Sequence, residues 1–194
     1  AFAGRLISTG TNNTIIGGLA GDALTTGSGN VGVGLNALGS TEGASENVAV
    51  GINALVGNVT GGKNVAVGSY ALTVANVSGD NYNTAVGHQA GTAVTTGTDN
   101  TLIGGLAGDA ITTATNNIAI GKSALGATTI GNTNVAIGSL AMQTNVAADR
   151  NVAVGHQALH TMTSATTLDT YNVAIGYNSG YAVTTGTHNA LIGG

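Results

Sequence analysis

Apolar and polar residues follow one another along this chain in a fixed order. An Asn is followed by Val, Ile or Thr, then Ala, then Val or Ile, then Gly, most plainly at Asn47-Val48-Ala49-Val50-Gly51. The unit opens at eleven asparagines: Asn13, Asn30, Asn47, Asn64, Asn83, Asn100, Asn117, Asn134, Asn151, Asn172 and Asn189. Eight of the ten intervals between them are 17 residues, and the other two are 19 and 21. A helical-hairpin repeat needs ~33 residues or more. Seventeen suits one turn of a coil with two short strands and two corners, so the chain reads as an all-β parallel solenoid of about 17 residues per coil. With ~4.8 Å between parallel strands, eleven coils make a rod roughly 50 Å long.

Period-two logic divides the first strand into two faces. The residue before the Gly is Val or Ile in every copy, from Ile16 and Val33 to Ile175 and Ile192. These β-branched side chains suit strands, and the expectation is an aliphatic ladder of them inside the coil. The opposite face carries Ile15, Ala49, Ala66, Ala85, Leu102, Ala119, Ala136, Ala153, Ala174 and Leu191, with Gly32 once. It is never polar, whereas a strand with one solvated face alternates apolar with polar. The second face is therefore expected to be a chain–chain interface between identical copies. The Gly makes the corner, and Ala-Leu pairs such as Ala54-Leu55 plug the interior beside the ladder. A second, looser strand is predicted at Ala23–Thr26, Ala93–Thr96, Ala110–Thr113 and Ala182–Thr185. The longer intervals add residues around Ser78–Tyr82 and Thr163–Tyr171, which reads as insertion at an outward corner. The recurring Asn predicts a structural ladder of stacked amides.

A longer period overlies the short one. Thr11–Thr26 reads TNNTIIGGLAGDALTT and Thr98–Thr113 reads TDNTLIGGLAGDAITT, 87 residues or five coils apart. The chain reads as a single repetitive segment over residues 1–194, cut from a longer fibre of five-coil blocks. Duplication of this kind lengthens a rod.

Composition narrows the picture. Charged residues make up 6% of the chain, against a usual ~25%. The basic residues are only Arg5, Lys63, Lys122 and Arg150, scattered within a net charge of −4. No basic patch exists to follow a phosphate backbone, which argues against nucleic acid as a partner. Gly, Asn or Thr interrupts every apolar run, so no membrane insertion is expected of this segment. There is no Cys, hence no disulfide framework and no thiol chemistry.

Units such as NVAVGINAL (47–55), NVAVGSYAL (64–72), NIAIGKSAL (117–125) and NVAVGHQAL (151–159) resemble the N-x-V-A-I-G repeats of trimeric autotransporter adhesin heads. They equally resemble related repeats of bacteriophage tail fibres. The match runs from Asn13 to Gly193, although adhesin heads use a shorter coil. The resemblance implies a left-handed parallel β-roll in which three chains pack about a common axis. It further implies an extracellular structural or adhesive fibre, on a virion or a bacterial surface, that spaces or presents a binding tip. The alternatives are a glycan-, receptor- or ice-binding solenoid module and a self-assembling matrix filament. Expected partners are two identical chains and a cell-surface glycan or protein receptor.

Candidate chemistry is sparse. His88 and His156 share one register just past the Gly, where neighbouring coils hold Gly, Leu, Ile, Ser, Lys or Tyr. Such variability marks an outward corner, and these two residues are the candidates for a metal ring in a trimer. The stretches 17–22 and 104–109, ending in Asp22 and Asp109, partly match a calcium nonapeptide but lack its tandem repeat. The Thr pairs invite an ice-binding reading, but adjacent residues on a strand face opposite ways. Sequons lie at Asn12, Asn58 and Asn76. No nucleophile–base pair or paired carboxylates recur at one level of the stack, so no catalytic residue, enzyme activity or cofactor is expected.

Overall fold

The computed structural model describes residues 2–75, 78–164 and 166–194. Among these there is no helix, and the fold is a parallel β-solenoid. Eleven three-residue strands, from Thr14–Ile16 to Ala190–Ile192, stack in chain order into one 11-stranded sheet. Like sits on like, as where Val135, Ala136 and Ile137 pair with Val152, Ala153 and Val154. Coils are numbered 1 to 11 below by their opening Asn.

The two faces of the strand are reversed from the sequence expectation. The Ala face points into the coil: Ala49, Ala66, Ala85, Leu102, Ala119, Ala136, Ala153 and Ala174 are all fully buried within one chain. Ile15 and Leu191, in the terminal coils, pack on the same core and are partly covered. The eight fully buried residues therefore cannot form a surface between chains. The Val/Ile ladder before the Gly points outward instead, with Ile103 and Ile137 each 37% exposed.

The reversal follows from the thinness of the coil. The wall opposite the strand already supplies Leu38, Leu55, Leu72, Leu125, Met142 and Leu159 to the interior, all fully buried. Facing them, the strand has room for a methyl group and no more. Where that wall carries Gly, the strand takes the space. A Cβ on Gly91 or Gly108 would lie 2.7 Å from a methyl of Leu102. The same coils add Val94 and Ile111 farther along, where the Leu- and Met-bearing coils mostly hold a polar residue (Thr41, Asn58, Thr128 and Asn145), with Ala75 and Met162 as the exceptions. The five-coil period is thus an alternation in which wall fills the core.

The second strand does not form. Residues 23–26 and their equivalents are turns and bends. In coil 1 the N–H groups of Thr25, Thr26 and Gly27 all converge on the carbonyl of Glu42. An extended strand cannot aim three successive N–H groups at one acceptor. The chain also enters the left-handed region repeatedly before that point, at Asn53 (φ 56°) and Leu55 (φ 49°) in coil 3, for example. Left-handed backbone costs a residue with a Cβ ~1–2 kcal/mol. The cost is offset by bonds to neighbouring coils, Asn53 N–H to Leu35 O and Leu55 N–H to Ala71 O. One coil alone has no such partners, so coils are stable only in a stack.

The corner Gly answers a tighter constraint. Gly51 has φ 136°, and a Cβ there would lie 2.6 Å from the carbonyl of Gly68 one coil on. The two longer intervals are accommodated at the surface. Gly79–Asp80 and Leu168–Asp169 are exposed and form two-residue bridges with Gly61–Gly62 and Ala148–Asp149.

Candidate functional site

The asparagines lie inside the coil, and nine of the eleven, Asn30 to Asn172, are at most 1% exposed. Each Oδ1 accepts the backbone N–H of the next Asn, as in Asn134 N–H to Asn117 Oδ1 at 2.9 Å. In the 17-residue intervals it also accepts that residue's side-chain amide, 3.3 Å for Asn134 to Asn117. The second amide hydrogen reaches a carbonyl fourteen residues on, such as Gly131 O from Asn117 at 2.9 Å. Across the two longer intervals an inserted residue joins the ladder. Asn64 donates to Asn81 at 3.2 Å, and the Thr170 hydroxyl donates to Asn151 at 2.7 Å. With their polar atoms engaged inside the coil, these asparagines hold coils together and present nothing to a ligand.

The outward strand face is a long apolar feature of the surface. It carries two columns, one from Thr14, Val31 and Val48 to Val152 and Val173, the other from Ile16 and Val33 to Ile192. Only Thr14, Thr84 and Thr101 are polar. Residues two apart on a strand are ~6.6 Å apart, so with side chains the stripe is roughly 10 Å wide, 50 Å long and about 500 Å² in area. The largest apolar patch on an ordinary monomer is ~300–600 Å²; this one is straight and ordered coil by coil.

His88 and His156 lie four coils apart, roughly 19 Å. Each packs on a tyrosine of a neighbouring coil. His88 meets Tyr70 edge-on at 6.5 Å, and His156 stacks on Tyr177 at 5.4 Å. The other two histidines behave alike, His160 stacking on Tyr181 at 4.9 Å and His188 on Tyr171 at 5.1 Å. Among the described residues no group of three His, Asp or Glu is placed to hold a metal ion. His160 donates from Nε2 to Gln143 Oε1 at 2.8 Å, leaving Nδ1 buried without a partner, and burial lowers its pKa.

The acids separate. Asp22 pairs with Arg5 at 3.0 Å, an exposed contact of small energetic weight. Its five-coil equivalent, Asp109, has no cation partner among the described residues, and burial raises its pKa. Asp109 lines an open notch of about 270 Å³ with Ser123, Gly126, Ala127, Gln143 and Thr144. The sequence reading singled out Asp109 and missed the other five residues. The signal was present in the 87-residue alignment, where Asn36 becomes Ser123 and Val56 becomes Gln143.

Thr hydroxyls of the pairs that invite an ice-binding reading bond to the next coil, Thr25 to Glu42 O, Thr95 to Thr112 O and Thr112 to Thr129 O, each at 3.1 Å. Of the sequons, Asn12 is exposed. Asn58 is fully buried, with its amide closed on Gly61. Asn76 lies outside the described residues.

Comparison with protein-family models, curated proteins and solved structures returns no match.

Proposed function

We propose that this chain is a segment of an extracellular fibre, on a virion or a bacterial surface, in which three copies pack stripe to stripe about one axis. The observation that carries this reading is the outward Val/Ile stripe, which runs through all eleven coils, is polar only at Thr14, Thr84 and Thr101, and is as straight as the solenoid. A long, narrow stripe fits a shared axis better than a broad flat contact. Three stripes of about 500 Å² would remove about 1,500 Å² from water over the whole trimer, about 500 Å² for each pair of chains, which is below the ~1,200–2,000 Å² of a standard two-chain interface and so calls for all three chains to close the contact together. The resemblance to adhesin-head and tail-fibre repeats supports the same arrangement and a left-handed coil. Stiffness comes from the asparagine ladder, so the role is mechanical: to space or present a binding tip.

Light scattering with circular dichroism tests the reading. The wild-type chain is expected at three times 18.6 kDa. Ile137→Lys should lower the mass and keep the β signal, because residue 137 points away from the core. A wild-type mass of one chain would overturn the proposal. An open-ended mass that grows with concentration would favour the matrix-filament alternative.

The notch at Asp109 favours an adhesive segment over a passive spacer.

A further inference from the structure

We propose that the notch between coils 6 and 8 is a binding subsite for one neutral sugar ring of a glycan, held by Asp109, Ser123 and Gln143. The inference rests on the fibre reading for its biological setting and on geometry for its chemistry.

The two five-coil blocks provide an internal comparison. In the N-terminal block, Arg5 neutralises Asp22 at 3.0 Å. The Asn36 side chain fills the space over Gly39, where a Cβ would lie 2.0 Å from Asn36 Oδ1. Asn36 is also tied to Asn53 at 2.8 Å, and the next residue of the column is the apolar Val56. In the C-terminal block every one of these fillers has changed. The position matching Arg5 is Thr92, Asn36 is replaced by the shorter Ser123, and Val56 by Gln143. Gly126, matching Gly39, then floors an open notch of about 270 Å³. The same fold thus closes the position in one block and opens it in the other.

The exposed groups suit a polyol. Asp109 is a part-buried carboxylate whose hydrogen-bond donor is its own backbone, so its oxygens remain to accept from sugar hydroxyls. Gln143 is preset: its Oε1 is held by His160, which is clamped in turn by Tyr181 at 4.9 Å and 9°. That leaves the Gln143 amide N–H groups, without a partner among the described residues, to donate. Ser123 adds a hydroxyl, and Ala127 and Thr144 add methyl groups for the ring's apolar face. Drug-sized ligands need pockets of ~300–1,000 Å³; this notch is smaller and matches a single ring. An unpaired carboxylate without a neighbouring cation disfavours acidic sugars.

Saturation-transfer NMR on the full chain, with glucose, galactose, mannose and N-acetylglucosamine in turn, tests the assignment. Transfer to at least one of these sugars is expected. Ser123→Asn copies the filler of the other block into a left-handed position (φ 53°) that Asn tolerates, and should abolish it. Asp109→Asn, which removes the charge without changing shape, should weaken binding about tenfold or more. No transfer to any of the four sugars, or undiminished transfer in Ser123→Asn, overturns the proposal. Mass is read on the same samples: sugar binding by a single chain would sink the fibre reading and keep the subsite, and a trimer that binds no sugar would do the reverse.

Discussion

Replacing Asn117 by Ala removes one rung from the middle of the ladder. The side chain is fully buried. Its Oδ1 is the acceptor for Asn134 N–H at 2.9 Å, and its amide is the donor to Gly131 O at 2.9 Å. Both partners lose their bond in the variant. Asn134's own amide keeps Ala148 O, and Asn100 Oδ1 keeps the backbone N–H of residue 117. Two orphaned buried groups at ~1–3 kcal/mol each give a loss of about 4 kcal/mol, less whatever a water entering the vacated space restores. Urea unfolding followed by circular dichroism measures this, with exposed Lys122→Ala as a control expected to change stability by at most about 0.5 kcal/mol. A loss of less than about 1 kcal/mol in Asn117→Ala would refute the ladder as the element joining the coils. Asn117→Asp sharpens the test. An oxygen in place of the amide faces Asn100 Oδ1, Thr115 O and Gly131 O. The folded state then favours the protonated acid, so the folded pKa rises above the unfolded one. The deficit should be greatest above the folded pKa and shrink as pH falls through it.

Other outcomes follow from the same geometry. Gly121→Ala places a Cβ 2.6 Å from the Gly138 carbonyl at φ 128°, and should prevent coils 7 and 8 from stacking, read as lost protection in hydrogen exchange. Leu102→Ala empties the space shared with Gly91 and Gly108, and should cost about 3 kcal/mol in urea unfolding. His160 has a lowered folded pKa, so it supports the fold above its unfolded value of 6.5 and withdraws support as pH falls through the folded pKa. Ring chemical shifts of Tyr181 should therefore move on acidification below that value, and should not move in His160→Gln.

Much of the architecture was legible in spacing alone. A recurring 17-residue interval predicts that like stacks on like, and the observed register obeys it coil by coil. The Asn pattern was equally informative, because a buried amide repeated in every coil has its own neighbour as the nearest partner. Which strand face lies inside was not legible. Both faces are apolar, and bulk alone suggested Val and Ile for the interior. The deciding fact is the width of the coil, set by Leu38, Leu55 and Leu72 on the far wall, and this appears only when the turn is closed. The failed second strand has a similar cause. Thr-rich stretches such as Ala93–Thr96 have strand propensity, but left-handed residues such as Gln89 and Leu106 carry no glycine signal. Stacking bonds impose those conformations from outside the local sequence. The notch was hidden because its residues come from three coils and mean nothing one at a time.

The chain contains no cysteine, so single cysteines at neighbouring positions report directly on which face is inside. Ile137→Cys should form disulfide-linked pairs of chains under mild oxidation, since residue 137 lies on the stripe through which copies are proposed to meet. Ala136→Cys should stay monomeric on a denaturing gel and react with a thiol reagent only as fast as the coil unfolds. Cross-linking through position 136, with position 137 protected and unlinked, would contradict the account.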